Sequence, residues 1–115
     1  MILSIITMNV LPEKQKELIQ TILSMNKALE KEAGCMSCSM FCNIQDKNNF
    51  NLFKEWQTRK DLHKYLKSEM FGILLGTNSL LCEPFKIKIY TVSNSEGIET
   101  VNSARNTVHP PAIST

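Results

Sequence analysis

Apolar side chains recur at close spacing in the first ten positions of the chain. Residues 2–10 (ILSIITMNV) are rich in β-branched residues, which favour extended backbone. Successive side chains of a strand point to opposite faces, so this segment predicts a strand with two different faces. One face carries Ile2, Ser4, Ile6, Met8 and Val10, and the other carries Leu3, Ile5, Thr7 and Asn9.

The apolar spacing then changes from two residues to three or four. The repeating positions are Leu18, Ile22, Met25 and Leu29, flanked by Ile19 and Leu23, with the charged residues on the far side. Pro12 suits the first turn of a helix, where its missing N–H costs nothing, and Gly34 is a natural stop. The pattern predicts an amphipathic helix between these two residues.

Alternation returns after Gly34. Residues 35–44 predict a second strand, and residues 46–49 (DKNN) are rich in turn formers. Residues 50–56 (FNLFKEW) predict a third strand, so we expect the two strands to pair as a hairpin.

The second half of the chain changes from helical to strand spacing once more. Thr58 is a suitable N-cap for a helix, and Ser68 precedes a second amphipathic stretch over residues 70–81. The apolar face of the first of these helices consists of Leu62, Tyr65 and Leu66. Pro84 ends the helical pattern, and residues 85–92 (FKIKIYTV) alternate as a last strand.

The predicted order is strand, helix, strand, strand, helices, strand. Read as βαββαβ, it predicts an α+β fold, a ferredoxin-like sandwich with helices packed on one face of an antiparallel sheet. The other face of the sheet mixes apolar and polar side chains: Leu3, Ile5, Thr7, Asn9, Ser37, Ser39 and Phe41. This face is too apolar to be left fully in water, so we expect a second copy of the chain to cover it and form a homodimer.

The chain divides into a domain over residues 1–93 and a C-terminal tail over residues 94–115. Ser93, the last residue of the domain, and Glu96 in the tail have capping-box spacing. Apolar residues follow at helical intervals: Ile98, Val101 and Ala104. We expect a short helix to about residue 105 and an irregular end after it.

Composition narrows the classes of partner. A chain of 115 residues suits one domain with a core of its own. The net charge is only +2, and the basic residues are scattered among acidic ones, unlike the basic footprint of a nucleic-acid-binding protein. The longest apolar run is far shorter than a membrane span. We therefore expect a cytoplasmic protein with reduced thiols and with no nucleic-acid or membrane partner.

Residues 34–42 (GCMSCSMFC) contain three cysteines, which raises the question of a metal or redox site. In a regular strand, Cys35 points to one face and Cys38 and Cys42 to the other. Cys38 and Cys42 would lie about 13 Å apart, too far to share one metal ion or one disulfide. We therefore predict no metal site, and a soft apolar face that packs on the helices and consists of Met36, Cys38, Met40 and Cys42.

Several features together resemble the antibiotic biosynthesis monooxygenase domain. They are the helix that Pro12 begins, EAGC at 32–35, the strand-end Trp56, S-x-x-F at 68–71 and LL-x-x-P at 80–84. The resemblance covers roughly residues 1–93 and implies a dimeric ferredoxin-like α+β barrel. The family includes oxygenases that oxidise polyphenols without metal or flavin, haem-degrading oxygenases, quinol oxidases and an isomerase of a phosphorylated sugar.

The resemblance carries over at some positions and fails at others. Many members place a histidine nine positions after the strand-end aromatic, where this chain has Tyr65, and the nearby His63 lies on a different helical face. Haem-degrading relatives have tryptophan at the Tyr65 position, histidine near Leu74 and asparagine near Ile6. This sequence has none of the three. The haem-degrading function is therefore disfavoured, and we expect no cofactor.

The resemblance implies a pocket between the sheet and the second helical region. Its expected catalytic residues are Tyr65, His63 and Asn9, and its expected substrate-binding residues are Trp56 and Arg59. Tyr65 would hydrogen-bond a substrate oxygen, Trp56 would stack on a flat ring, and His63 would take a proton if it faces inward. These residues have structural interpretations as well: core or interface packing for Trp56, a buried hydroxyl that needs a partner in any case for Tyr65, a solvated surface for His63 and a backbone partner for Asn9.

Three functions are compatible with this sequence. The first is a cofactor-independent monooxygenase or related oxidoreductase acting on a small aromatic or quinol-like substrate. The second is a noncatalytic small-molecule-binding or assembly domain whose pocket is filled by side chains. The third is an isomerase-like relative, which is weakened because Tyr65 replaces the common histidine. An enclosed cavity at the Tyr65 hydroxyl would favour the first or third, and a solid core with Tyr65 pointing outward would favour the second.

Overall fold

The computed structural model describes residues 1–29 and 32–106 and contains four strands and four α-helices there. The strands are β1 (Ile2–Asn9), β2 (Cys35–Asn43), β3 (Asp46–Trp56) and β4 (Lys86–Thr91). The helices are α1 (Gln15–Leu29), α2 (Arg59–Leu66), α3 (Glu69–Gly76) and α4 (Ile98–Arg105). No helix within the described ranges combines the length and the apolar character that crossing a membrane requires.

The strands form one antiparallel sheet in the order β2-β3-β1-β4. The two inner strands are β3 and β1, and in β1 Ile6 pairs with Leu52 of β3 on one side and with Ile87 of β4 on the other. Helix α1 connects β1 to β2, and α2 and α3 connect β3 to β4. This is the ferredoxin-like α+β arrangement, so the fold predicted from the order of elements is confirmed.

The two faces of β1 differ as its alternation predicts. Ile2, Ser4, Ile6 and Met8 are buried, whereas the residues between them are half-buried. The buried face packs against side chains of α1, α2 and α3 that are themselves buried: Leu18, Ile22, Met25, Leu62, Tyr65, Phe71 and Leu74. The core therefore lies between the helices and one face of the sheet.

The predicted starts of α2 and α3 are confirmed by their caps. Thr58 Oγ1 accepts a hydrogen bond from Asp61 N at 3.2 Å, and Ser68 Oγ accepts one from Phe71 N at 3.2 Å. Each hydroxyl satisfies a backbone N–H that has no partner within the helix. These caps fix where α2 enters the core after β3.

The helix predicted over residues 70–81 is shorter than expected. It ends at Gly76 and gives way to a 3-10 turn over Thr77–Leu80. Thr77 Oγ1 donates a hydrogen bond to the Leu74 carbonyl at 2.6 Å. Side chains that bond to the backbone in this way compete with helical hydrogen bonds, which explains the early end.

The hairpin turn lies earlier than predicted. It consists of Ile44 and Gln45, and β3 begins at Asp46, so residues 46–49 belong to a strand instead of a turn. The pairing with β2 skips residues 47–49. The turn-forming residues therefore produce an irregularity inside the strand, which the local composition cannot distinguish from a turn.

A helix is present in the C-terminal tail, with a different start from the one expected. Helix α4 spans Ile98–Arg105, and its N-cap is Gly97, without a side-chain hydrogen bond. Ser93 is therefore not its cap. The irregular end expected after about residue 105 lies mostly in 107–115, outside the described residues.

Candidate functional site

A lysine lies in the middle of the core face of β3. Side chains alternate along this strand, and its core face carries Phe50, Leu52, Lys54 and Trp56. Lys54 is 0 % exposed, although the residues beside it are apolar. Burying an ammonium group costs free energy unless the group is paired, so this position calls for a functional explanation.

Helix α2 brings a tyrosine to this lysine. The cap at Thr58 sets the start of α2, and Leu62 and Tyr65 then fall on its buried face. Lys54 Nζ donates a hydrogen bond to Tyr65 Oη and lies 4.0 Å from the centroid of the Tyr65 ring. An amine and a phenol are thus joined by a hydrogen bond inside the core.

Aromatic rings and one hydroxyl surround the pair. The Tyr65 ring stacks on Trp56 with centroids 5.0 Å apart and meets Phe71 edge-on at 5.4 Å. Trp56 Nε1 donates to Ser4 Oγ at 3.4 Å, and Ser4 Oγ donates to the Lys54 carbonyl at 3.5 Å. We refer to Ser4, Lys54, Trp56 and Tyr65 as the Lys54 cluster. Its buried polar side-chain atoms all have partners.

A β-bulge adds two thiols to the same side of the sheet. Regular alternation places Cys35 and Cys38 on opposite faces, but the pairing with β3 shifts register directly after Cys35. Cys35 pairs with Trp56 and Cys38 with Lys54, so both thiols lie on the core side, and Met36 is the extra residue. The prediction for Cys35 is wrong because alternation holds only where pairing is unbroken.

The continuous apolar face predicted for β2 is also interrupted. Met36 is 59 % exposed, and Cys42 is exposed close to the hairpin turn. Only Cys38 and Met40 of the four predicted residues pack against the core. Within residues 1–29 and 32–106, no group of three histidine, cysteine or acidic side chains is placed to hold a metal ion.

Burial sets the charge state of the Lys54 cluster. Loss of solvation lowers the pKa of Lys54 from 10.5 to about 8, and Cys38, Cys35 and Glu32 oppose this only in part. The same loss of solvation raises the pKa of Tyr65, so the phenol stays protonated at neutral pH. It also raises the pKa of Cys35. Near neutral pH the amine is therefore partly neutral and its hydroxyl partner is a proton donor.

An open groove reaches the strand neighbour of Lys54. It has a volume of about 540 Å³, within the usual range of small-molecule pockets. Its lining comes from α1 and β2: Leu23, Ser24, Asn26, Lys27 and Cys38. The Cys38 thiol donates a hydrogen bond to Asn26 Oδ1 at 3.1 Å, and Cys38 pairs with Lys54 across the ladder. The lining of the groove includes Cys38 and no residue of the Lys54 cluster.

The structure brings together two of the five residues expected at the site. Trp56 and Tyr65 are in contact, as described above. His63 is exposed and lines a groove on the outer side of α2 among lysines. Arg59 is exposed and donates to a threonine of β4 at 3.2 Å. Asn9 lies on the opposite face of β1, where its side chain bonds to two neighbouring side chains.

Lys54 is the residue that the sequence analysis missed. The signal that identifies it is side-chain alternation. Lys54 lies two residues from Leu52 and two from Trp56, on a strand whose core face is otherwise apolar. A charged residue at a core-facing position is rarely buried without a partner. Alternation along the strand therefore marks Lys54 as a candidate functional residue.

Together, the fold and the site define a ferredoxin-like α+β domain with a lysine–tyrosine pair enclosed between sheet and helices. The family model for antibiotic biosynthesis monooxygenase matches residues 1–72, which is more than half of the chain and includes the whole Lys54 cluster. The chain belongs to the antibiotic biosynthesis monooxygenase family.

Solved structures share this fold. A protein of Deinococcus radiodurans whose name places it in the same family superposes with a TM-score of 0.79 at 19% identity, over 85% of this chain and 98% of its own. A conserved protein of Methanosarcina mazei Go1 superposes with a TM-score of 0.74 at 22% identity, over 77% of this chain and 89% of its own. At these identities the likeness concerns the fold.

A relative known by sequence is an uncharacterized protein of Synechocystis sp. It is 27% identical over 86 residues, which are 74% of this chain and 58% of the relative. The chain thus spans a little over half the length of that protein. The chemistry of this chain has to be argued from its own residues.

Proposed function

We propose that this chain is a cofactor-independent monooxygenase that acts on a small aromatic or quinol-like substrate. Membership of the family supports the general class. The observation that carries the proposal is the buried pair of Lys54 and Tyr65 inside an aromatic wall. An oxygenase without a cofactor needs to deprotonate an acidic phenol or enol, because the resulting anion supplies the electrons to oxygen.

Lys54 is the proposed base. Its pKa of about 8 leaves part of the amine neutral near pH 7.5, so it can take the proton of a phenolic or enolic O–H. The ammonium group then stabilises the oxyanion in surroundings of low dielectric constant. The Tyr65 hydroxyl donates a hydrogen bond to the same oxyanion, and Trp56 stacks on the ring of the substrate.

The remaining steps use the electrons of the substrate. For a methylene group between two aromatic rings, the carbanion reduces O2, one oxygen atom becomes the new carbonyl, and the other leaves as water with the two substrate hydrogens. The chain's own part is to bind the ring, to move the first proton and to exclude bulk water. His63, Arg59 and Asn9 lie outside this centre in the proposal. We further propose a homodimer in the cytoplasm.

A second candidate is a noncatalytic binding or assembly domain, and one observation favours it. The side chains of Trp56, Tyr65 and Phe71 contact one another, and the first two are at most 1 % exposed. Such packing is expected if side chains fill the pocket. Against this candidate, Tyr65 points inward to a polar partner, whereas a filled pocket has no need of a buried amine.

Oxygen uptake tests the first candidate. Metal-stripped protein is offered hydroquinones, anthrones and flavonols, and wild type is compared with Lys54→Met, Tyr65→Phe and a control, Lys16→Met, whose lysine is exposed on α1. We expect saturable uptake that falls at least about tenfold in the first two variants, because positioned acids and bases contribute roughly 10²–10⁴ in rate. Equal uptake by Lys54→Met would contradict the proposed base. No uptake with any substrate would favour the noncatalytic domain.

A further inference from the structure

Among the described residues, the amine of Lys54 makes no ion pair with a carboxylate. The ion pairs found among the described residues join Lys14 to Glu17 and Lys86 to Glu83, all of them on the surface. Lys54 Nζ instead donates to the neutral hydroxyl of Tyr65. A buried lysine that is not held as an ammonium by a carboxylate is suited to act as a neutral amine.

The titratable groups that face this amine reverse the effect of burial on its pKa only in part. They are Tyr65 from α2, Cys35 and Cys38 from β2, and Glu32 from the turn before β2. Burial raises the pKa of Tyr65 and that of Cys35, so both are uncharged at neutral pH. Glu32 is the smallest of the influences on Lys54. β1 contributes a neutral hydroxyl, that of Ser4.

Neutral amines in such surroundings attack carbonyl carbon atoms. The nitrogen lone pair forms a C–N bond, the carbonyl oxygen takes a proton to give a carbinolamine, and loss of water with the amine proton gives an imine. The second step needs an acid near the leaving oxygen, and the Tyr65 hydroxyl is hydrogen-bonded to the reacting nitrogen. No oxidant, reductant or metal takes part. Atoms and charge balance with one water released for each imine formed.

We propose that Lys54 is a covalent binding site for small aldehydes and ketones, with Tyr65 as the acid that assists imine formation and the face of Trp56 as the wall for an aryl group. In this proposal the carbonyl compound enters from the groove lined by Cys38, the ladder partner of Lys54, and side chains move to let it reach the buried amine. This inference goes beyond the oxygenase proposal, since the bond forms without oxygen and without turnover.

Reductive trapping tests the inference. Full-length folded protein is incubated anaerobically at pH 7.5 with benzaldehyde and cyanoborohydride, and peptide mapping locates the benzyl groups. At that pH about a quarter of an amine with a pKa of about 8 is neutral, against about a thousandth of an ordinary lysine. We expect Lys54 to be labelled at least about tenfold faster than Lys16, an exposed lysine of α1.

Two variants and one control keep the test decisive. Tyr65→Phe is expected to slow labelling of Lys54 several-fold without changing that of Lys16, and Lys16→Met is expected to leave Lys54 labelling unchanged. Protein unfolded in urea should lose the preference for Lys54. Labelling confined to exposed lysines in the folded wild type would overturn the inference, whether or not any variant folds. Because oxygen is absent, this outcome is separate from failure of the oxygenase proposal.

Discussion

At the scale of single residues, Lys54 works against the stability of the fold. Lowering its pKa from 10.5 to about 8 corresponds to about 3 kcal/mol of destabilisation at neutral pH, where the unfolded chain also carries the proton. The hydrogen bond to Tyr65 offsets only part of this, because a typical hydrogen bond contributes about 1 kcal/mol. The proposed role as a base gives a reason for a residue that destabilises the centre of the core.

The double variant Lys54→Met with Tyr65→Phe should therefore be more stable than wild type. It removes both polar partners and keeps their volume, so no orphaned group remains in the core. We expect its free energy of unfolding at pH 7 to exceed that of wild type by about 1–3 kcal/mol in urea titrations. Lys54→Met alone should gain less, because it leaves the Tyr65 hydroxyl without its partner. A less stable double variant would mean that the pair is structural.

The stability difference between the double variant and wild type depends on pH, because burial lowers the pKa of Lys54. Between pH 8 and 10.5 the unfolded chain binds more protons at Lys54 than the folded chain, so the wild type gains stability as pH rises through this window. The advantage of the double variant should accordingly shrink between those values and stay constant below pH 8. Burial raises the pKa of Tyr65, so Tyr65 changes the pH dependence of stability only above the pH at which an ordinary tyrosine loses its proton.

At the scale of elements, the entry into β2 shapes the site. Gly34 has a φ of +84°, and a Cβ atom there would lie 2.2 Å from Asp61 Cγ in α2. The Gly34 carbonyl accepts a hydrogen bond from Gln57 N at 2.8 Å, directly after β3. This residue thus joins the start of β2 to the end of β3 and to α2, and only glycine fits there without strain.

Substitution of Gly34 by alanine should destabilise the protein. We expect a loss of about 1–3 kcal/mol in urea unfolding, because alanine resists a positive φ and Asp61 has to move. Gly72→Ala is the matched control, since its Cβ meets open space on α3 and should stabilise by up to about 1 kcal/mol. If both variants behaved alike, the turn before β2 would not hold the strained conformation.

The bulge in β2 makes a prediction about thiol reactivity. Cys42 and Cys82 are exposed, whereas Cys35 and Cys38 are half-buried on the core side, and burial raises the pKa of Cys35. Pulsed alkylation of the folded protein, read by mass spectrometry, should label Cys42 and Cys82 first and Cys35 at least about tenfold more slowly. Fast labelling of Cys35 would show that the strand alternates without a bulge.

The same elements show which features a sequence can predict. The faces of β1 and the caps at Thr58 and Ser68 were predictable, because alternation and capping depend on neighbouring residues only. The side on which Cys35 lies was not, because the bulge depends on pairing with β3. Lys54 was overlooked because the free-energy cost of burying its amine arises only once α2 covers that face of the sheet.

At the scale of the whole molecule, the outer face of the sheet remains to be explained. Phe41 is 57 % exposed and packs edge-on against Phe53 at 5.4 Å, and Tyr90 is 45 % exposed. Half-buried Leu3 and Ile5 lie on the same face. An apolar face of this kind is typical of a surface that a partner covers, which supports the proposal of a homodimer.

Light scattering at micromolar concentration should therefore find a dimer. Phe41→Lys should weaken it at least about tenfold, because burial of a phenylalanine side chain contributes roughly 1.5–3 kcal/mol. Leu75→Lys, at a residue of α3 that is 49 % exposed, should leave the dimer unchanged. A monomeric wild type would remove the argument that a second copy covers the sheet.

The central claim is that Lys54 is a buried amine available in its neutral form, and NMR titration of the lysine ε-methylene signals tests it most directly. We predict that one lysine signal titrates near pH 8 and that this signal is lost in Lys54→Met. Titration of every lysine above pH 10 in the folded protein would contradict the account. Lys54 would then be neither the base nor the nucleophile of this site.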